Sequence, residues 1–421
     1  PSSSATGLPQ DTDSRLKDLA SAHVESFNFF LESGLGLAVD DIPARDFRLG
    51  PGGKRVRVWI ESAEVGQPTK RDGSEDMRLM PAECRERGLS YSAPLNAVVC
   101  RSVLAPADDG TGKDVVVSTD SYPLRAGELP IMVGSQRCHL AGMDAAAKAA
   151  AHEEASEFGG YFICNGIERV VRLLQMPRRN YPMAITRSSY TKRGRLYSTQ
   201  AVVVRSVRPD QSALTVTLHY LTNGGANVRF ALRRQEFFVP AVLVLRCLRE
   251  TTDREIFHAI CGGPQGAARD PHLADRVQLL LRDARVQAGF GPSSGSREAC
   301  LAFLGARFRG ELDLPSTASD EEAGNLLLDR YVLVHLTNAA DQETAAHDKY
   351  VMLCTMLRKL YRFVAGDVLE DSADSLANQE LLLGGHLYCM FVKEKLAEML
   401  QGFEQAMKRE VIAGRAVAPD V

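Results

Sequence analysis

The chain has 421 residues, two to three times the length of a typical single domain, so it is expected to contain two or more hydrophobic cores or one core with a large insertion. Apolar residues make up 45% and charged residues 24%, proportions that are ordinary for a folded chain and too apolar for disorder throughout. The longest uncharged apolar run, Phe237–Leu245, is too short to span a bilayer, so no membrane partner is expected. The net charge of −3 by itself indicates no class of partner.

The first part of the chain predicts helices and antiparallel strands. Residues 13–31 have mostly helical apolar spacing, and the glycine-rich sequence after them is expected to end that helix. Between 50 and 130, short β-like runs alternate with Gly, Pro and Asp, a pattern typical of antiparallel sheet. Residues 144–158 predict a helix with Asp144 as its N-cap and Gly159-Gly160 at its end.

Two hairpins follow. Asn165-Gly166 lies between β-rich runs, and this dipeptide favours a type I′ turn because both central residues need positive φ. A second hairpin is predicted from Leu214–Leu221, the turn at Asn223-Gly224, and Asn227–Leu232.

Beyond Phe237 the pattern changes to helices. They are predicted at 241–249, 273–288, 297–308, 321–336, 349–364 and 374–411, with loops at 262–269 and 289–296. The chain is therefore predicted to be α+β, with mixed helix and antiparallel sheet in one domain and helices plus β-hairpins in another.

Motifs for catalysis and metal binding are incomplete. The nine cysteines are scattered and never spaced Cys-x-x-Cys, which indicates buried apolar side chains rather than disulfides or a zinc site. Gly110–Lys113 lacks the first glycine of a phosphate-binding loop, and His152 lacks a second histidine at position 156. Ser293 lies in a Gly-x-Ser-x-Gly sequence without the preceding hydrophobic strand of a nucleophile elbow. We therefore expect no catalytic and no metal-binding residue in this chain.

The charge is unevenly distributed. Residues 169–209 contain ten basic residues and no acidic one, so the rest of the chain carries 40 − 53 = −13. Tyr181, Tyr190 and Tyr197 are interleaved with these cations, a pattern that suits a phosphate-lined path with stacked rings. An acidic protein partner and an ordinary solvated surface are the alternatives. We call residues 169–209 the basic island.

Several segments resemble the second-largest, β-like subunits of cellular RNA polymerases. Gly159–Val171 is similar to the Gly-Gly-Tyr-Phe-Ile-x-Asn-Gly-x-Glu-Lys/Arg-Val hairpin of that family, and Leu174–Met183 resembles the RNA polymerase I version. Further similar segments occur in the same order along the chain: Ala22–Asn28, Gly34–Leu37, Pro81–Arg85, Leu129–Val133, His219–Leu221, Phe237–Pro240, Tyr350–Leu360, Asp374–Glu380 and Phe391–Leu396. The resemblance is poor at 40–75, 101–125 and 262–296.

The resemblance implies the N-terminal third of such a subunit. It implies a protrusion domain at 1–186 and 367–421 with an inserted lobe at 187–366, together forming one side of the DNA cleft of a nucleolar enzyme that makes ribosomal RNA. Implied partners are the largest and other core subunits, a TFIIF-like heterodimer, a zinc-ribbon subunit, DNA and the RNA–DNA hybrid. The implied cofactor is magnesium, held by the largest subunit and not by this chain, which alone is expected to be inactive.

The residues expected to contact nucleic acid are basic ones within the island. They are Arg178, Arg179, Lys192, Arg193 and Arg195, which would neutralise phosphates without reading bases. For Arg178 and Arg179, pairing with carboxylates at the domain junction is the alternative. For the whole chain, the alternatives are a free-standing interaction module with a basic surface strip and a hydrolase that uses Ser293.

Overall fold

A computed structural model describes most of the chain, which divides into two compact units. The described residues are 10–48, 55–72, 75–106, 114–233, 235–263, 265–266, 270–287, 296–312, 314, 318–337 and 342–412. The first unit comprises 1–174 and 381–421, and the second comprises 175–380. The chain passes between the units inside two short strands that pair with each other, Leu174–Pro177 and Gln379–Leu382. The protrusion and lobe, with the boundaries given above, stay a prediction.

The strands of the described residues are numbered in chain order. They are β1 (Arg45–Arg48), β2 (Arg55–Val65), β3 (Thr69–Asp72), β4 (Glu75–Arg78), β5 (Ser92–Pro106), β6 (Asp114–Pro130), β7 (Phe162–Cys164), β8 (Ile167–Arg169), β9 (Leu174–Pro177), β10 (Met183–Thr186), β11 (Tyr197–Val207), β12 (Ala213–Leu221), β13 (Ala226–Leu232), β14 (Gln235–Pro240) and β15 (Gln379–Leu382).

The helices are numbered in the same way. They are α1 (Gln10–Phe29), α2 (Leu35–Asp40), α3 (Pro81–Arg87), α4 (Ala145–Ala150), α5 (Ala241–Leu248), α6 (Asp253–Cys261), α7 (Pro271–Gln287), α8 (Arg297–Phe308), α9 (Asp320–Tyr331), α10 (Gln342–Ala365) and α11 (Gly384–Ile412). None of the described helices is long and apolar enough to cross a membrane.

The first unit is built on an antiparallel sheet with strand order β1-β2-β5-β6. Helices α1, α2 and α11 contribute to its core, where Phe27, Phe162 and Tyr388 form an aromatic cluster with ring centroids 5.1–5.4 Å apart. Helix α11 approaches α1 closely because Gly385 has no side chain: a Cβ atom there would lie 1.8 Å from the Ser26 carbonyl oxygen. The Gly385 N–H donates to Ser26 Oγ at 3.1 Å.

The second unit contains a five-stranded antiparallel sheet with strand order β10-β11-β12-β13-β14. Alternate residues of its strands point into a large core shared with α5–α10. This side of the sheet is apolar, with Val202, Leu218 and Phe230 almost completely buried. The opposite side carries the polar and charged residues considered below.

The α+β fold class is confirmed. Both predicted hairpins are present, as β7–β8 and β12–β13. Asn165 and Gly166 have φ of 52° and 75°, as the type I′ turn requires. All nine cysteines are free thiols, and all except Cys164 are buried.

The helix predicted at 144–158 is much shorter than expected. Asp144 is its N-cap and accepts a hydrogen bond from the Ala147 N–H at 2.7 Å, but α4 ends at Ala150. His152 then adopts a left-handed φ of 62°, and Glu153 turns inward to bind Arg85 at 2.9 Å. Since only 2% of the Glu153 side chain is exposed, this buried ion pair outweighs the helical tendency of the alanine-rich sequence.

Other helix boundaries also differ. The first helix does not end at the glycine-rich segment but continues as a π-helical turn, Phe30–Gly34, into α2, because Phe30 and Leu35 are buried in the core. The last predicted helix begins ten residues later, at Gly384, since β15 occupies part of the segment. Helix α6 had not been predicted, although Thr252 and Glu255 form a capping box at its start.

Candidate nucleic-acid interface

Most of the basic island lies in the second unit. It includes a short 3-10 helix, Ser188–Arg193, which lies between β10 and β11. We call residues 187–196 the basic loop. Backbone hydrogen bonds hold both ends of this loop, from the Arg187 N–H to the Thr199 oxygen and from the Thr222 N–H to the Leu196 oxygen, each at 2.8 Å. Tyr190 is buried, which fixes the middle of the loop against the sheet.

Arg193 turns back from the loop to the polar side of the sheet. Its Nη2 atom donates to Glu236 Oε2 at 3.2 Å, and Glu236 Oε1 accepts a second bond from Arg229 Nη2 at 2.5 Å. We call these three residues the Glu236 cluster. The Arg193 guanidinium also lies over the ring of Tyr190 at 4.8 Å and that of Phe238 at 5.7 Å. These contacts attach the loop to β13 and β14.

Charges in this cluster favour the ionised carboxylate. Burial by itself would raise the pKa of Glu236, but the hydrogen bonds and positive charges of Arg229 and Arg193 outweigh it and lower the pKa. Glu236 therefore remains negatively charged at neutral pH and neutralises part of the two arginine charges.

His219 is fully buried beside the Glu236 cluster. Burial, together with the positive charges of Arg193 and Arg229, lowers its pKa to about 4, so the ring is neutral at physiological pH. Arg193 Nη1 lies 3.2 Å from His219 Nε2. Because arginine only donates hydrogen bonds, Nε2 must be the accepting nitrogen and the ring proton resides on Nδ1.

Arg179 is held by a second carboxylate. Its Nε donates to Glu380 Oε2 at 2.9 Å and its Nη1 to Gln211 Oε1 at 3.1 Å. The other oxygen of Glu380 binds Arg205, whose side chain is only 5% exposed. Burial would raise the pKa of Glu380, but both arginines lower it below the ordinary value. Arg179 thus pairs with a carboxylate within the second unit, and whether this position is the domain junction named as the alternative stays a prediction.

Arg178 is exposed and lies over the ring of Tyr181 at 5.2 Å. Lys359 also lies over that ring at 4.9 Å, and it pairs with Asp371 at 2.6 Å. Since two cations contact Tyr181, its ring is used within the protein.

The remaining island tyrosines are engaged as well. Tyr190 meets His219 edge to face at 4.6 Å, and Tyr197 meets Phe238 in the same manner at 5.3 Å. Asn227 Nδ2 donates to the Tyr197 hydroxyl at 3.0 Å. The three tyrosines therefore pack within the second unit, in contrast to the stacked path that the sequence suggested.

The structure separates the basic residues by their availability. Lys192 and Arg195 are exposed, as is Arg187, and none of them forms an ion pair with any residue that the structure describes. Arg179 and Arg193 are half-buried and paired. The five residues predicted to contact nucleic acid thus comprise exposed cations on the basic loop, one exposed arginine beside Tyr181, and two arginines that hold local structure.

Sequence reasoning missed the acidic partners of these arginines. Glu236 and Glu380 lie outside the basic island, and no local pattern connects them with it. Only the pairing of β13 with β14 brings Glu236 close to Arg229. The position of His219 on the polar side of the sheet could have been predicted from the sequence. Side chains alternate between the two sides along β12 and β13, and this alternation places His219 opposite Asn227.

Within the described ranges, no group of three or more His, Cys, Asp or Glu residues is placed to hold a metal ion. His152, which lacks a histidine partner at position 156, lies after the end of the short helix α4. Gly110–Lys113 and Ser293 lie outside the described residues.

Residues 18–421 match the family described as RNA polymerase beta subunit. The chain belongs to this family. The resemblance stated from the sequence is confirmed.

Curated relatives are similar over nearly the whole chain. DNA-directed RNA polymerase I subunit rpa2 of Dictyostelium discoideum is 37% identical over 92% of this chain and 33% of its own length. Subunit RPA2 of Neurospora crassa is 39% identical over 93% of the chain, and that of Homo sapiens is 35% identical over 96%. These comparisons cover 32% and 33% of those relatives, so the chain spans about a third of their length.

Proposed function

We propose that the chain is the N-terminal, non-catalytic part of the second-largest subunit of a DNA-directed RNA polymerase I. Support comes from the family match over residues 18–421 and from the polymerase I subunits to which the chain is similar. In this proposal, 1–186 and 367–421 are the protrusion and 187–366 is the lobe. The chain acts in the nucleus, in the nucleolus, during ribosomal RNA synthesis, and is inactive alone.

Its role is to form one side of the DNA cleft. The observation that carries this role is the basic loop, where Lys192 and Arg195 are exposed on a segment fixed to a rigid sheet. A polymerase must move along every sequence, and such cations neutralise phosphates without contacting bases. Arg178 and Arg187 are further exposed cations for the same purpose.

The proposed partners follow from membership of a multisubunit polymerase. They are the largest subunit and other core subunits, a TFIIF-like heterodimer and a zinc-ribbon subunit on the lobe, and DNA with the RNA–DNA hybrid. We also propose that the catalytic magnesium is held by the largest subunit and not by this chain.

The phosphate contacts are tested with Lys192→Gln/Arg195→Gln in the purified polymerase. Binding to a DNA duplex is measured between 50 and 200 mM salt. Each lost phosphate contact reduces the slope of log K against log salt by about 0.9, so the double variant is expected to lower it by about 1.8. Arg307→Gln removes an exposed charge from α8 and is the matched control, with an unchanged slope expected.

An unchanged slope in the double variant would contradict the phosphate contacts.

Membership of the polymerase has a separate test, which is to capture the endogenous protein and identify its co-purifying chains. A mass near that of this chain without polymerase subunits would instead favour a free-standing interaction module.

A further inference from the structure

We propose that Glu236, an acidic residue, strengthens nucleic-acid binding because it positions the basic loop through Arg193. This inference rests on the proposed function and adds a positioning residue to the interface. Glu236 lies on β14 and is separated from the loop in sequence, so its role is visible only in the folded second unit.

The contacts show how Glu236 reaches the loop. Glu236 is shared by two arginines, Arg193 from the loop and Arg229 from β13. Arg229 fixes the carboxylate from one side at 2.5 Å, which leaves the other oxygen directed at Arg193. The loop arginine is thus bound to a carboxylate that the sheet already holds in place.

Neighbouring groups restrict Arg193 further. His219 Nε2 accepts from Arg193 Nη1, and the rings of Tyr190 and Phe238 contact the guanidinium. All the described partners of the Arg193 guanidinium lie within the protein: Glu236 pairs with its charge, His219 accepts a hydrogen bond from it, and two aromatic rings contact its plane. A guanidinium used in this way acts as an anchor, and the adjacent Lys192 and Arg195 remain free for phosphates.

Anchoring has an energetic consequence for binding. Ordering a flexible side chain at an interface has an entropic cost. A loop that is already attached to the sheet avoids part of this cost when Lys192 and Arg195 meet the phosphates. Without Glu236, the loop would lose its ionic attachment and the two cations would have to be ordered upon binding.

Simple electrostatics predicts the opposite effect. Removing a negative charge beside a polyanion site should strengthen binding, because repulsion of the phosphates decreases. Glu236→Gln therefore distinguishes the two roles by the sign of its effect. Glutamine keeps nearly the same size but has one acceptor oxygen and one NH2 donor, so the change removes the charge and one of the two hydrogen bonds from the arginines.

The experiment measures affinity of the purified polymerase for a DNA duplex at 100 mM salt. Glu236→Gln is expected to weaken binding about 3- to 10-fold, which corresponds to the ordering of one or two side chains. Glu321→Gln, on the exposed surface of α9, removes an equal charge away from the cluster and is the matched control. It is expected to leave affinity unchanged or slightly stronger.

A double-mutant cycle separates positioning from general damage to the fold. In the Lys192→Gln/Arg195→Gln background only Arg187 of the loop's three exposed cations is left to position, so Glu236→Gln should weaken binding clearly less than in the wild type. Equal weakening in both backgrounds would overturn the inference, and so would tighter binding by Glu236→Gln alone. If the double variant itself has no effect on the salt slope, the proposed phosphate contacts fail and this inference fails with them.

Discussion

Glu380 binds two arginines in the second unit, and one of them, Arg205, is almost fully buried. Removing the carboxylate would leave Arg205 with a buried, unpaired charge. Glu380→Gln is therefore expected to lower the free energy of unfolding by about 2–3 kcal/mol in urea denaturation. Glu398→Gln breaks an exposed pair with Lys395 and should leave the free energy of unfolding almost unchanged, because solvent screens that pair.

This effect should also depend on pH. The pKa of Glu380 in the folded chain is below the ordinary glutamate value of 4.5. Its ionic contribution is therefore fully present above pH 4.5 and is lost as pH falls through the folded pKa. The difference between wild type and Glu380→Gln should decrease in acid, and a constant difference would show that the ion pair does not stabilise the unit.

At the scale of elements, the sequence predicted best where local geometry decides. The Asn165-Gly166 turn and the Asp144 cap depend on neighbouring residues and were correct. The length of α4 was wrong because Glu153 is bound by Arg85, which is distant in sequence. The basic island was recognised, but the partners of Arg179 and Arg193 could not be, since tertiary pairing alone brings Glu380 and Glu236 to them.

The turn of the β7–β8 hairpin requires glycine for two reasons. Gly166 has a φ of 75°, and a Cβ atom there would lie 2.8 Å from Gly88 Cα. Gly88 has a similar φ of 67°, but a Cβ on it would meet nothing within 4 Å. Comparison of alanine at these positions therefore separates backbone strain from steric overlap.

Gly88→Ala is expected to lower the free energy of unfolding by about 1 kcal/mol, from the left-handed conformation alone. Gly166→Ala combines that strain with overlap and should lower it by roughly 2–4 kcal/mol. Both values are measured by thermal or urea unfolding of the purified chain. Equal losses at the two positions would show that the hairpin moves away from Gly88 without resistance.

At the scale of the whole molecule, the residues proposed to bind nucleic acid and the residues that form the hydrophobic cores lie in different places. Lys192 and Arg195 lie on the basic loop, which packs through Tyr190 and Arg193 against the polar side of the second unit's sheet. The apolar side of that sheet faces a core shared with α5–α10. The first unit has its own core of buried apolar residues around β2, β5 and α11. Length predicted two or more cores or one core with a large insertion, but the division of residues between cores depends on strand pairing.

Because each unit has its own core, we expect the two units to unfold locally and independently of each other. Leu218→Ala in β12 removes a fully buried side chain from the second core, and Ile131→Ala does so in the first. Each should destabilise its own unit by about 2–5 kcal/mol through the lost apolar contacts and the cavity left behind. Hydrogen exchange followed by mass spectrometry should show faster exchange of core amides in 175–380 for Leu218→Ala and in 1–174 and 381–421 for Ile131→Ala. If either variant accelerated exchange equally throughout the chain, the two cores would form one cooperative unit, and the basic loop would depend on the stability of both.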